Sequence, residues 1–97
     1  MDDLPFDTQK LIEVCRQNDV AAVGVFGSTA RGEATPQSDI DLLVEFSTRK
    51  SLLKLVALER QLSAALGRKV DVLTHAAISP YLRDRILHDL RVIYEAG

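Results

Sequence analysis

The sequence predicts an α/β fold of the α+β kind: a small mixed β-sheet with helices packed on one of its faces. Three observations predict it. Strand-like and helix-like segments alternate along the chain, Val20 to Phe26 is a near-continuous apolar run, and Asp39 to Phe46 alternates in polarity. At 97 residues the chain reads as one domain, 1–97, and size scaling buries about two-thirds of its unfolded surface.

The elements follow in order. Asp7 or Thr8 can cap a first helix over roughly Thr8 to Asn18, with Leu11, Ile12 and Cys15 on one face. Asn18-Asp19 ends it. Val20 to Phe26, rich in Val, reads as a strand buried on both faces. Gly27-Ser28 breaks that strand, and a short helical turn is expected around Thr29 to Glu33. The second strand, Asp39 to Phe46, sets Ile40, Leu42, Val44 and Phe46 on one face and Asp39, Asp41, Leu43 and Glu45 on the other. Ser51 to Leu66 is the longest helix, with a mostly apolar stripe from Leu52 to Leu66 that includes Glu59, and Gly67 is suited to end it. Arg68 to Thr74 is a third strand, with Val70 and Val72 opposite Asp71 and Leu73. Ser79-Pro80 opens a last helix that runs to about Asp89. Val92-Ile93-Tyr94 is either a short final strand or a helical tail. The sheet face away from the helices is partly open, and it carries Asp39, Asp41 and Asp71.

Composition narrows the function. The chain is 46% hydrophobic and 27% charged, which excludes disordered, collagen-like and low-complexity chains. The net charge of -2 argues against direct nucleic-acid binding. One cysteine excludes a disulfide framework and a Cys-based zinc site; Cys15 reads as a small buried hydrophobe, and an unpaired Cys fits a reducing cytoplasm. No apolar run approaches the ~20 residues of a membrane span, and Met-Asp-Asp-Leu-Pro lacks the positive start of a signal peptide. The expected location is cytoplasmic.

Three acids on one open sheet face call for a reason. Asp39 and Asp41, two apart on a strand, point the same way with Cα atoms about 6.6 Å apart. Aspartate is a poor strand former, and the mutual repulsion is relieved by a divalent cation; oxygen-only ligands favour Mg²⁺ or Mn²⁺. Solvated strand positions are the plain alternative. The preceding segment tips the balance. Gly27 permits close backbone approach, Ser28 offers a hydroxyl beside backbone N–H groups, and Arg31 can bring a bidentate fork to the same anion. A phosphate cradle next to a metal site is what nucleoside-triphosphate chemistry needs.

Gly27-Ser28-Thr29-Ala30-Arg31-Gly32 followed by Ser38-Asp39-Ile40-Asp41-Leu42-Leu43-Val44 resembles the signature of the DNA polymerase beta-like nucleotidyltransferases, in particular the minimal nucleotidyltransferase (MNT) domains. Asp71, in Lys69-Val70-Asp71-Val72-Leu73, matches the third acid expected on a later strand. The resemblance implies that Asp39 and Asp41 hold two Mg²⁺ ions, with Asp71 ligating one or taking the acceptor's proton. Gly27, Ser28, Arg31 and Ser38 would meet the nucleotide, ATP being the expected one. It further implies transfer of AMP to a protein hydroxyl, in an antitoxin paired with a HEPN-type toxin. Two rivals remain: a module that masks a toxin surface without chemistry, and a subunit that modifies a small molecule.

Other residues carry less. Ser38 could touch a phosphate or cap its own turn. Leu43 and Leu73 share the acids' face and either meet a partner or lie under a carboxy-terminal segment. His75 and His88 lack ligand spacing. Glu45 and the Arg49, Lys50, Lys54 cluster read as solvated, the cluster's alternative being contact with RNA or an acidic partner; Tyr81 and Tyr94 are expected to pack near the carboxy terminus, the alternative being acceptors for self-modification.

Overall fold

The computed structural model describes residues 4, 6–33, 35 and 37–96. Of the amino-terminal pentapeptide, all but Leu4 lies outside these, as does Pro36 of the turn-rich segment. Helix α1 (Thr8–Gln17) starts at Asp7, whose carboxylate accepts hydrogen bonds from the amides of Gln9 (3.0 Å) and Lys10 (3.2 Å). That satisfies donors a helix start leaves orphaned. Strand β1 (Val20–Phe26) follows, then β2 (Ile40–Phe46), helix α2 (Leu52–Leu66), β3 (Val70–Thr74), a 3₁₀ turn at His75–Ala77, helix α3 (Pro80–Asp89) and β4 (Arg91–Glu95). No helix among the described residues is long and apolar enough to cross a membrane.

The sheet order is β3-β2-β1-β4, with β2 antiparallel to β1, β4 antiparallel to β1, and β3 parallel to β2. The sheet is therefore mixed, as expected, and β1 is central. The open question at Val92-Ile93-Tyr94 resolves as strand: β4 completes the outer edge of β1. On one face, Val23, Val25, Ile40, Leu42, Val44, Val70 and Val72 meet Leu11 and Cys15 of α1 and Leu58 and Leu62 of α2. Alternate strand positions fill this layer because a strand presents every second side chain to one face.

Helix α2 also serves the outer edge of β3. Ser63 Oγ accepts from the Val70 amide at 3.0 Å, and Glu59 Oε2 accepts from the Val72 amide at 2.9 Å. Glu59 thus interrupts the apolar stripe in order to close a strand edge that would otherwise be unpaired. The stripe itself is shorter than predicted: Leu52 and Val56 are exposed, Leu55 is partly buried against the core, and full burial begins at Leu58.

Two local expectations about element bounds are corrected. Residues 27–32 form successive hydrogen-bonded turns and not a helical turn at Thr29 to Glu33, because Gly27 and Gly32 both take φ of 74°, outside helical range. Asp39 and Arg68-Lys69 lie just before their strands, not inside them. The face carrying the acids is covered at one end: Leu43, 3% exposed, packs with Phe26 and Ile78, and Leu73, Ile86 and Leu90 flank them. Of the two readings for Leu43 and Leu73, a carboxy-terminal segment covers them. Tyr94 packs at the core as expected, whereas Tyr81 is 96% exposed.

Candidate active site

The parallel register of β2 and β3 pairs Asp41 with Asp71, and the antiparallel register of β1 and β2 pairs Asp41 with Phe26. The end of β1 therefore delivers Gly27 to the side of Asp41. A Cβ on Gly27 would lie 2.7 Å from Asp41 Oδ2, and its φ of 74° is one that L side chains rarely adopt. Glycine is required here twice over, for the turn and for the approach of a carboxylate.

Asp41 is half-buried between two other acids. Burial first, then the charges of Asp71 and Asp39, push its pKa above the ordinary carboxylate value. Asp39 has a partial counter-charge in Lys69, whose Nζ lies 3.7 Å from Asp39 Oδ2. Among the described residues no three His, Cys, Asp or Glu side chains are grouped so as to hold a metal ion. The donors are nevertheless oxygen only, and a crowded carboxylate group relieves its repulsion by taking up a proton or a hard cation.

The remaining predicted residues divide. Ser28 is half-buried at the start of the turn, and its carbonyl accepts from the Glu33 amide at 2.9 Å. The amides of Arg31 and Gly32 likewise close the turn on itself, bonding to Gly27 (3.1 Å) and Thr29 (3.3 Å). Ser38 takes the turn-capping alternative: its Oγ accepts from the Thr35 amide at 2.9 Å. Arg31 does not stand alone beside Ser28. Its Nε donates to Glu33 and its Nη1 to Asp89, each at 2.8 Å. These bonds, Glu33 first, raise its pKa and keep it charged.

Sequence reasoning missed Arg68, Lys69, Asp89 and Thr29. Arg68 Nη2 donates to the carbonyls of Thr35 (3.1 Å) and Ser38, clamping the loop that leads into Asp39. Thr29 Oγ1 is buried without a hydrogen-bond partner among the described residues, a cost of about 1–3 kcal/mol sited in the glycine turn. Only Lys69 carried a local signal, its place two residues before Asp71.

The family described as "Nucleotidyltransferase domain" matches residues 8–93. A Methanocaldococcus jannaschii protein, provisionally named a protein adenylyltransferase, is 48% identical over 81 residues, covering 84% of this chain and 87% of its own. The protein adenylyltransferase MntA of Thermococcus cleftensis is 41% identical over 71 residues, covering 73% and 72%. Among solved structures, one described as a minimal nucleotidyltransferase aligns with TM-score 0.75 at 36% identity, over 87% of this chain and 86% of its own. Two more distant ones share the fold. A toxin–antitoxin crystal structure with AMP-PNP aligns with TM-score 0.81 at 22% identity, over 94% and 75%. An MNT antitoxin with the tri-AMPylated HEPN toxin of Shewanella oneidensis aligns with TM-score 0.72 at 21% identity, over 92% and 70%.

Proposed function

The chain belongs to the nucleotidyltransferase domain family and is a nucleotidyltransferase, and from that premise we propose that it moves AMP from ATP to a hydroxyl of a HEPN-type toxin as that toxin's antitoxin, in the cytoplasm. One observation carries the reading: Asp41 faces Asp71 across the β2–β3 ladder while the Gly27 turn abuts its carboxylate. The carboxylates and the glycine turn are thereby adjacent, which supports the reading of that turn as the phosphate cradle. The names of the sequence relatives support AMP transfer to protein, and the solved toxin–antitoxin pairs support the partner class.

The oxygen-only chemistry of Asp39, Asp41 and Asp71 suits Mg²⁺, with Mn²⁺ as an alternative, and these three residues would hold it. Two such ions, when bound, neutralise the triphosphate and acidify the acceptor hydroxyl. The chain's own groups do the rest. Gly27 keeps the space beside Asp41 clear. The Ser28 hydroxyl donates to a phosphate oxygen, and Arg31 grips the triphosphate tail with its planar fork. Asp71, on a separate strand, takes the acceptor's proton. The acceptor oxygen then forms its bond to the α-phosphorus, the bond from that phosphorus to the bridging oxygen breaks, and pyrophosphate leaves with the electron pair. Catalysis of this kind is mostly positioning and charge neutralisation. Ser38, whose hydroxyl oxygen caps its turn, shapes the approach to Asp39 and keeps an O–H to donate to a phosphate oxygen.

The test uses ATP labelled at the α-phosphate, Mg²⁺ and the HEPN-type partner. Wild type is expected to label the partner and silence it; Asp71→Asn is expected to bind nucleotide, leave the partner unlabelled and fail to silence it. Full silencing by both proteins with no label from either would establish masking instead.

A further inference from the structure

Arg31 and Asp89 are 58 residues apart in sequence and joined by a 2.8 Å ion pair. Asp89 is the last residue of α3, where the helix dipole disfavours an acid. Its side chain is only 18% exposed, against 63% for Glu33, the other carboxylate on the same guanidinium. The two partners therefore differ in freedom. Glu33 sits on an exposed turn and can swing into water. Asp89 is pinned by its neighbour: Leu90 packs on Phe26, Leu43 and Ile78, and it lies so close over β1 that a Cβ on Gly24 would be 2.7 Å from Leu90 Cδ1. Gly24 is thus the position that lets the end of α3 settle on the sheet and bring Asp89 to Arg31.

We infer that Asp89 is a positioning residue for the nucleotide site: it holds the Arg31 guanidinium through Nη1, while Glu33 is the partner that a phosphate oxygen displaces from Nε. The inference rests on the reading of Arg31 as the triphosphate grip and extends it to a group no sequence motif contains. An arginine with both carboxylates in place carries surplus negative charge, which opposes a triphosphate; surrender of the Glu33 bond removes that opposition and leaves the fork held from behind. Orientation by a fixed second partner reduces the side-chain freedom that binding must otherwise freeze.

The experiment is calorimetric titration of the full chain with Mg²⁺–AMP-PNP, for wild type, Arg31→Ala, Asp89→Ala, Asp89→Asn and the double variant Arg31→Ala/Asp89→Ala. Asp89→Ala is expected to weaken binding about tenfold, the scale of one charged hydrogen bond. Asp89→Asn, which keeps the shape and one acceptor oxygen, is expected to lose less and covers the case in which the alanine variant does not fold. The double variant is expected to bind no worse than Arg31→Ala alone, because Asp89 acts only through Arg31. A merely structural role for Asp89 would weaken the Arg31→Ala background by the same factor as wild type, and that result overturns the inference. So does wild-type affinity in both Asp89 variants while Arg31→Ala binds weakly. A wild-type protein that fails to bind the nucleotide, or an Arg31→Ala variant that binds as wild type, overturns the reading of Arg31 itself and takes this inference with it.

Discussion

Leu42 and Leu43 are consecutive on β2 and both are buried, but they meet different surroundings. Leu42 enters the layer beneath α1 and α2, among Leu11, Cys15, Leu58 and Leu62, none of which reaches water. Leu43 enters a small cluster with Phe26 and Ile78, on the face that also carries Asp41 and Asp71. One face is apolar throughout its strands. The other is apolar where α3 covers it and acidic where β1 hands over to the glycine turn. Stability and chemistry are thereby set on opposite sides of one sheet, and each side can be altered with the other as control.

The largest effect is expected on the closed face. Leu62→Ala should cost about 2–5 kcal/mol of folding free energy, read from denaturant unfolding, because a well-packed layer collapses only partly around a deleted side chain. Cys15 reports on the same face. Burial pushes its thiol up to about 12, so native protein should resist thiol reagents near neutral pH and react once Leu62→Ala loosens the layer. Asp39→Asn, on the open face, should cost no stability. Equal losses in Leu62→Ala and Asp39→Asn would break the division between faces.

A middle-sized effect separates the two glycines of the turn. Gly27 and Gly32 share a φ of 74°, so alanine at either should cost about 1–2 kcal/mol in backbone strain. Only Gly27 has Asp41 against it; Gly32 has nothing within 4 Å. Gly27→Ala should therefore also weaken Mg²⁺–ATP binding in calorimetry, and Gly32→Ala should weaken it far less. Identical binding by the two variants would remove the turn from the site.

The smallest effect is on stability against pH. The folded state holds the Asp41 proton more tightly than the unfolded chain, whose carboxyl keeps its ordinary value of 3.8. Native stability is thus lost as pH rises from that value through the raised folded one, and the full penalty stays above it. Asp41→Asn removes the ionisation. It should be slightly more stable than wild type at neutral pH, with the gain disappearing in acid below about pH 3.8, by thermal unfolding across a pH series.

Much of this division was legible in the sequence because it is written in local periodicity. The run Val20–Phe26 and the alternation through Ile40–Phe46 placed both strands and put Asp41, with Asp71 opposite it on β3, on the face away from Leu42 and Val72. What local pattern does not encode was missed. The pairing of β4 with β1 and the Arg31–Asp89 bond join segments far apart in sequence. The cover formed by Ile78, Ile86 and Leu90 comes from α3 and the residues flanking it, and no residue of α3 itself is fully buried, so its apolar stripe is weak. The exposure of Leu52 and Val56 was equally hidden, since a helix stripe shows which residues share a face but not where the neighbouring layer ends.

Nucleotide chemistry is assigned above to the acidic end of the open face. Titration of wild type, Asp39→Asn and Asp41→Asn with Mg²⁺–ATP tests it most directly, with unfolding curves confirming that each variant is folded. Heat of binding is expected with wild type and a loss of about tenfold or more in affinity with either variant, both at undiminished stability. Equal Mg²⁺–ATP affinity across the three proteins would contradict that assignment.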